Sequence, residues 1–171
     1  MKRILVDLNV VLDVALRRPA HFEASRAFCL AIEARRAIGF LSAHAFPTFY
    51  YVARKNAGEV RALQLVANLA RVFRVASIDD AVVARSLTLG LPDYEDAVTA
   101  AAAEASHCEL IVTRDPRGFA ASPVKAVSPE LALASLDSEV HEPIEPYDVA
   151  PVRRRRRRSH AGERSAMASS R

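Results

Sequence analysis

Arg3-Ile4-Leu5-Val6-Asp7-Leu8-Asn9-Val10-Val11-Leu12-Asp13 is the stretch around which the rest of the chain is organised. Arg3 to Val6 is mostly apolar, with β-branched Ile4 and Val6, as in a strand buried on both faces of a parallel sheet. An aspartate follows at once. In open α/β sheets, ligands bind beyond the carboxyl ends of the strands. Asp7 therefore stands where chemistry is done. Asn9 to Leu16 continues as a short helix with Val10, Val11, Val14 and Ala15 inward, ended by Arg17-Arg18-Pro19.

Outward from this stretch, helices and strands alternate. His21 to Ala37 reads as an amphipathic helix, with Phe22, Ala27, Phe28, Ala31 and Ile32 on its apolar side. Ile38 to Leu41 is a second strand, and Ser42 is placed to cap the next helix. That helix, Ala43 to Lys55, contains Pro47, so it either begins late or kinks there. Gly58 to Arg71 is helical, with Val60, Leu63, Val66, Ala67 and Ala70 expected inward. Val72 to Val75 is a third strand, and Ile78 to Leu89 a helix. Gly90-Leu91-Pro92 turns the chain into an Ala-rich helix, Tyr94 to Ser106. Cys108 to Thr113 is a fourth strand, Val124 to Val127 a fifth, and Pro129 to Leu136 a last helix after Ser128. This order predicts an α/β sandwich whose central sheet of four to five strands is mainly parallel.

Composition bounds the function. Of 171 residues, 51% are hydrophobic, enough for one sizeable core. No apolar run is long enough to cross a membrane. The early acid Asp7 interrupts any signal-peptide apolar region. Cys29 and Cys108 are far apart among apolar residues, as two reduced thiols would be, which fits a cytoplasmic protein. The net charge of +4 is unevenly spread. Residues 1–150 carry 16 basic and 19 acidic residues, whereas residues 151–171 carry eight Arg and one Glu. We therefore expect a domain over 1–136, an acidic, Pro-containing linker over 137–152, and a disordered Arg-rich tail over 153–171.

The domain itself gathers acids. Asp7 ends strand one, and Asp115 follows strand four on the same rim. Asp93 reads as a helix cap, which puts Asp96 in the first helical turn. Ala100 and Ala103 lie on roughly the Asp96 side, where small residues leave room for a bulky ligand. Two like charges about 4 Å apart repel by roughly 4 kcal/mol at an effective dielectric near 20. A divalent cation removes that cost, and Mg²⁺ or Mn²⁺ takes oxygen ligands while keeping waters. Such an ion activates water and polarises phosphate.

Four motifs in order, Asp7-Leu8-Asn9-Val10-Val11-Leu12-Asp13, Ser42-Ala43-His44 with Tyr50 to Lys55, Asp93-Tyr94-Glu95-Asp96-Ala97, and Ile111 to Phe119, resemble those of the PIN-domain family. The resemblance spans about residues 1–136. It implies a PIN-like α/β/α sandwich, Mg²⁺- or Mn²⁺-dependent endoribonuclease activity on RNA, and often a VapC-like toxin role with an antitoxin partner and a homodimer. It assigns catalysis and metal binding to Asp7, Asp96 and Asp115, with Asn9, Thr48, Asp93 and Thr113 around them. One position departs from the family pattern. Many members carry a glutamate in the helix after strand two, and Thr48 stands there. A subgroup of PIN-like proteins commonly lacks this acid.

Each feature also has a local reading. Asp7 and Asn9 could cap the following helix, Asp96 could complement a helix dipole, and Asp115 before Pro116 could begin a turn. Asp13 could face the site or make a surface salt bridge, Glu95 points to solvent, and His44 serves as a local cap. Arg114 and Arg117 are candidates for RNA contact. So are Arg153, Arg154, Arg155, Arg156, Arg157 and Arg158, which attract polyanions through counterion release. Two further functions compete with the nuclease. One is a catalytically weak or inactive PIN-like RNA-binding or regulatory module. The other is a receiver or phosphatase-like domain, for which Lys125 is the only late lysine.

Overall fold

The structure, a computed structural model, describes residues 1–138; the expected linker and arginine tail from residue 139 onward lie outside the described residues. The elements are β1 (Arg3–Val6), α1 (Leu8–Leu16), α2 (Phe22–Glu33), β2 (Ile38–Ser42), α3 (Ala45–Ala57), α4 (Glu59–Val72), β3 (Arg74–Ala76), α5 (Asp80–Ser86), α6 (Tyr94–Ala105), β4 (Leu110–Val112), β5 (Lys125–Val127) and α7 (Pro129–Ser138). The five strands form one sheet in the order β3-β2-β1-β4-β5, and every neighbouring pair is parallel. This is the α/β architecture read from the sequence.

Strand alternation divides the core. Along β1, Ile4 and Val6 face one side, with Leu41 and Val112, and pack on Val10, Phe28, Ile32, Phe49 and Leu136. Leu5 faces the other, with Phe40 and Ile111, and packs on Val82 and Ala100 to Ala103. Successive strand side chains point oppositely, so α1, α2, α3, α4 and α7 supply one layer and α5 and α6 the other. β1 is central. From it the chain builds β2 and β3 on one side, then returns to build β4 and β5 on the other. The gap between the carboxyl ends of β1 and β4 is therefore the topological switch point of the sheet.

Several helices differ from their expected limits or faces. α2 stops at Glu33 because Arg35 adopts a left-handed φ of 58°, which a right-handed helix cannot contain. α3 begins at Ala45, so Pro47 falls in its first turn, where its missing N–H would have had no helical partner. Ser42 does not cap α3; it ends β2, and its hydroxyl pairs with His44 Nδ1 at 2.8 Å. α4 departs from the expected face except at Val66. Val60, Leu63, Ala67 and Ala70 are exposed, while Ala62 is buried and Leu65, Val66 and Leu69 pack on the core. The helix carries two apolar stripes, and its packing against α3 selects the one that periodicity did not single out. Ala100 and Ala103 are fully buried against the sheet. Their small size lets α6 lie close on Leu5 and Phe40 and leaves no space for a ligand.

Candidate active site

Asp7 leaves β1 as an extended residue and caps α1, its Oδ1 accepting from the Asn9 amide at 3.5 Å. Its own N–H donates to the Val112 carbonyl at 2.9 Å, which ties it to the end of β4. The Thr113 hydroxyl donates to Asp7 Oδ2 at 2.8 Å, and Asn9 Nδ2 donates to the same oxygen at 3.4 Å. Asp7 is only 6% exposed. The cap reading thus describes this residue, and its carboxylate also stands at the switch point of the sheet.

The loop after β4 is built around Thr113 and Asp115. Thr113 Oγ1 accepts from the Asp115 N–H at 3.1 Å, and Asp115 Oδ1 accepts from the Arg117 N–H at 3.2 Å. A threonine hydroxyl thus spans from one aspartate to the backbone of the next. Across the switch point stands the N-terminus of α6. Asp93 caps it, Oδ1 accepting from the Glu95 and Asp96 amides at 2.7 and 3.2 Å. Asp96 in the first turn faces Asp115. A Cβ placed on Gly118 would lie 3.2 Å from Asp96 Oδ2 and 3.2 Å from Asp115 Oδ2. The glycine keeps open a cradle that both carboxylates flank.

The electrostatics follow from this placement. Burial pushes the Asp96 carboxyl up from 3.8 to about 6, and the charges of Asp7, Asp93, Glu95 and Asp115 push it the same way. Five acidic side chains from three segments therefore share one field. Among the described residues, no group of three or more His, Cys, Asp or Glu side chains is drawn together as a ready-made ligand cage. A strongly hydrated ion held through one or two carboxylates does not require one. All-oxygen donors, mutual repulsion and the cradle at Gly118 fit a hard divalent cation better than a soft metal.

The other residues singled out from the sequence fall as follows. The Thr48 hydroxyl donates to the His44 carbonyl at 3.1 Å, within its own helix. His44 stands at the N-cap position of α3 but makes no capping bond. Instead its Nε2 lies 3.4 Å from Glu95 Oε1, linking α3 to α6. Arg117 is exposed. Arg114 is turned inward, with Nη2 donating to Asn9 Oδ1 at 3.0 Å and Nη1 lying 3.3 Å from Asp13 Oδ1. Sequence reasoning left Asp13 between site and surface; it is wholly buried. The signal available was its spacing of four from Asn9, which puts both on one helix face. Gly118 was also missed, because a glycine in a loop gives no sign of what lies beside it. A cleft of about 300 Å³, bordered by Val11, Cys29, Glu33, Phe49 and Leu69, includes none of Asp7, Asp93, Glu95, Asp96 and Asp115.

Comparison with known proteins bears on this arrangement. No curated protein matches the chain. Among solved structures, the fold is similar to that of a DNA-bound VapBC complex from Salmonella typhimurium, with a TM-score of 0.60 and 19% identity, covering 75% of this chain and 99% of that one. It is similar to a toxin–antitoxin complex from Klebsiella pneumoniae, with a TM-score of 0.57 and 22% identity over 74% and 97% of the two chains. It also resembles a sarcin–ricin loop cleaving toxin of Mycobacterium tuberculosis, with a TM-score of 0.52 and 14% identity over 63% and 86%. The PIN domain family model matches residues 3–117, from the first residue of β1 to the loop that carries Asp115, and the chain belongs to the PIN domain family.

Proposed function

We propose that this PIN-domain chain is a metal-dependent endoribonuclease that hydrolyses RNA phosphodiester bonds and acts as the toxin of a toxin–antitoxin pair. The observation that carries the reading is the placement of Asp96, whose Oδ2 and that of Asp115 both lie 3.2 Å from the position of a Cβ on Gly118. The Asp96 carboxyl is pushed up by burial and by four neighbouring carboxylates at the switch point of the sheet. A site of such concentrated negative charge is relieved by a divalent cation. Asp7, Asp96 and Asp115 are the residues that would hold Mg²⁺ or Mn²⁺, with Asn9, Asp93 and Thr113 orienting them. When bound, the metal supplies a polarised phosphate and an activated water. Thr113 and the Asn9 side chain hold Asp7 Oδ2 by hydrogen bonds, and Oδ1, which caps α1 through the Asn9 amide, keeps a second lone pair for a cation. Gly118 keeps side-chain bulk out of the space between Asp96 and Asp115.

An antitoxin partner is supported by the toxin–antitoxin complexes among the structural neighbours, and cleavage of RNA by the neighbour described as cleaving the sarcin–ricin loop. RNA contact by Arg117 and by Arg153 to Arg158, a homodimer and a cytoplasmic location belong to the same reading. Among the described residues no helix is long and apolar enough to cross a membrane. Purified protein should cleave a mixed structured RNA with Mn²⁺ or Mg²⁺ and not with EDTA, and Asp7→Asn should abolish cleavage while remaining folded. Full activity in that variant would refute the reading.

Thr48 favours a second reading, a catalytically weak RNA-binding module. It is neutral, and its hydroxyl is engaged with its own helix rather than with the acids. On this reading RNA binds without metal-stimulated cleavage, and Thr48→Glu gains activity. An unchanged, full-rate Thr48→Glu variant would favour the enzyme.

A further inference from the structure

Asp13 is a wholly buried carboxylate four residues beyond Asn9, and the site reading above does not use it. Its Oδ1 lies 3.3 Å from Arg114 Nη1 and 3.4 Å from Arg18 Nη1, and its Oδ2 accepts from the Ser25 hydroxyl at 3.2 Å. Two guanidinium groups thus share one carboxylate. Arg114 does not stop at Asp13. Its Nη2 donates to Asn9 Oδ1 at 3.0 Å, and its buried Nε has no partner among the described residues. A guanidinium is a rigid planar fork, so fixing one arm fixes the other.

The bond to Arg114 settles how the Asn9 amide lies. Its oxygen must face the donor Arg114, so its Nδ2 faces Asp7 Oδ2, 3.4 Å away. Reversed, the amide would set N–H against guanidinium N–H and oxygen against carboxylate. A continuous chain therefore runs from Asp13 through Arg114 and Asn9 to Asp7, joining α1 to the loop after β4. We propose that Asp13 and Arg114 are positioning residues that orient the Asp7 carboxylate for cation binding through Asn9, although neither would touch the cation. The inference rests on Asp7 holding a divalent metal. It also assigns Arg114 an internal role in place of RNA contact.

Groups that orient a metal ligand from behind typically change affinity by 10- to 100-fold when removed. Mn²⁺ binding to the full chain, measured by calorimetry, should weaken by that factor in Asp13→Asn and in Asn9→Ala. The two effects should not add: Asp13→Asn in the Asn9→Ala background should cost less than threefold more. Additive losses would overturn the relay, because a merely structural Asp13 acts independently of Asn9. Should Asp13→Asn fail to fold, Arg114→Lys keeps a charge beside Asp13 but lacks the fork, and should weaken Mn²⁺ binding similarly. A second readout needs no metal. The Asn9 side-chain amide should exchange with solvent at least tenfold faster by NMR in Arg114→Lys than in the parent. Unchanged exchange in the folded variant would overturn the relay, whereas faster exchange in Arg114→Lys together with a parent that binds no Mn²⁺ would refute only the metal reading.

Discussion

The acids of this site work against the fold that carries them. Asp96 holds its proton up to about pH 6, against 3.8 ordinarily. Between those values the folded state binds more proton than the unfolded chain, so this group's contribution to stability is best at the acid end and falls as pH rises through the window. A shift of that size would be worth about 3 kcal/mol without solvent; for a partly exposed carboxyl, screening leaves about 1 kcal/mol. Metal-free Asp96→Asn should therefore unfold at a higher denaturant concentration than the parent at pH 7.5, and the two should converge near pH 4. Parallel profiles would refute the assignment. Gly118 tests the same space by volume. An added Cβ would stand 3.2 Å from both flanking oxygens, tight enough to push them apart. Gly118→Ala should fold normally and bind Mn²⁺ about tenfold more weakly, the scale of a disturbed ligand environment; equal affinity by calorimetry would show that the cradle is not used.

Among the elements, β2 is closely packed at Gly39. A Cβ on Gly39 would meet Ile32 Cγ2 at 2.6 Å and the Phe73 ring at 2.7 Å. Ile32 belongs to α2, and Phe73 links α4 to β3, so the glycine is what allows both to close on the sheet. Overpacking of this kind costs about 1–3 kcal/mol, and Gly39→Ala should lose that much in urea unfolding; a neutral variant would mean that α2 can shift outward. Helix reading from the sequence succeeded where one stripe was apolar and failed where two were. α2 buries the expected side, whereas α4 buries Ala62 and leaves Val60 and Leu63 in solvent. Periodicity identifies an apolar stripe, but the neighbouring element decides which stripe is used.

For the whole molecule, the thiols and the charge distribution give separate tests. Burial pushes Cys29 up to about 12, with Asp13 and Glu33 adding to it, and burial pushes Cys108 up to about 11. Neither forms a thiolate near neutrality, so a disulfide-exchange reagent should label both far more slowly than an exposed cysteine of ordinary pKa. Rapid labelling of native protein would contradict this. Basic charge is concentrated in residues 151–171. If Arg153 to Arg158 all contact single-stranded RNA, removing residues 151–171 should lower affinity and flatten the log–log salt dependence by about 4; an unchanged slope in filter binding would assign RNA contact to the domain.

By itself the sequence determined the order of strands and helices, the parallel sheet, and the positions of Asp7, Asp96 and Asp115 at element ends. These depend on local signals: apolar runs, a capping Asp93, and acids directly after strands. Set beside the PIN-family motifs it resembles, the sequence also showed Thr48 where many members carry glutamate. The tertiary structure decided what those signals cannot carry. It turned Arg114 inward onto Asp13 and Asn9, directed the Thr48 hydroxyl to its own helix, and packed Ala100 and Ala103 against the sheet. It also placed Gly118 between the carboxylates of Asp96, 22 residues earlier in the sequence, and Asp115, three residues earlier. For Arg114, Ala100, Ala103 and Gly118 the deciding partner comes from another segment. Its direction is set when the sheet brings β1 and β4 together, which no local pattern of residues encodes.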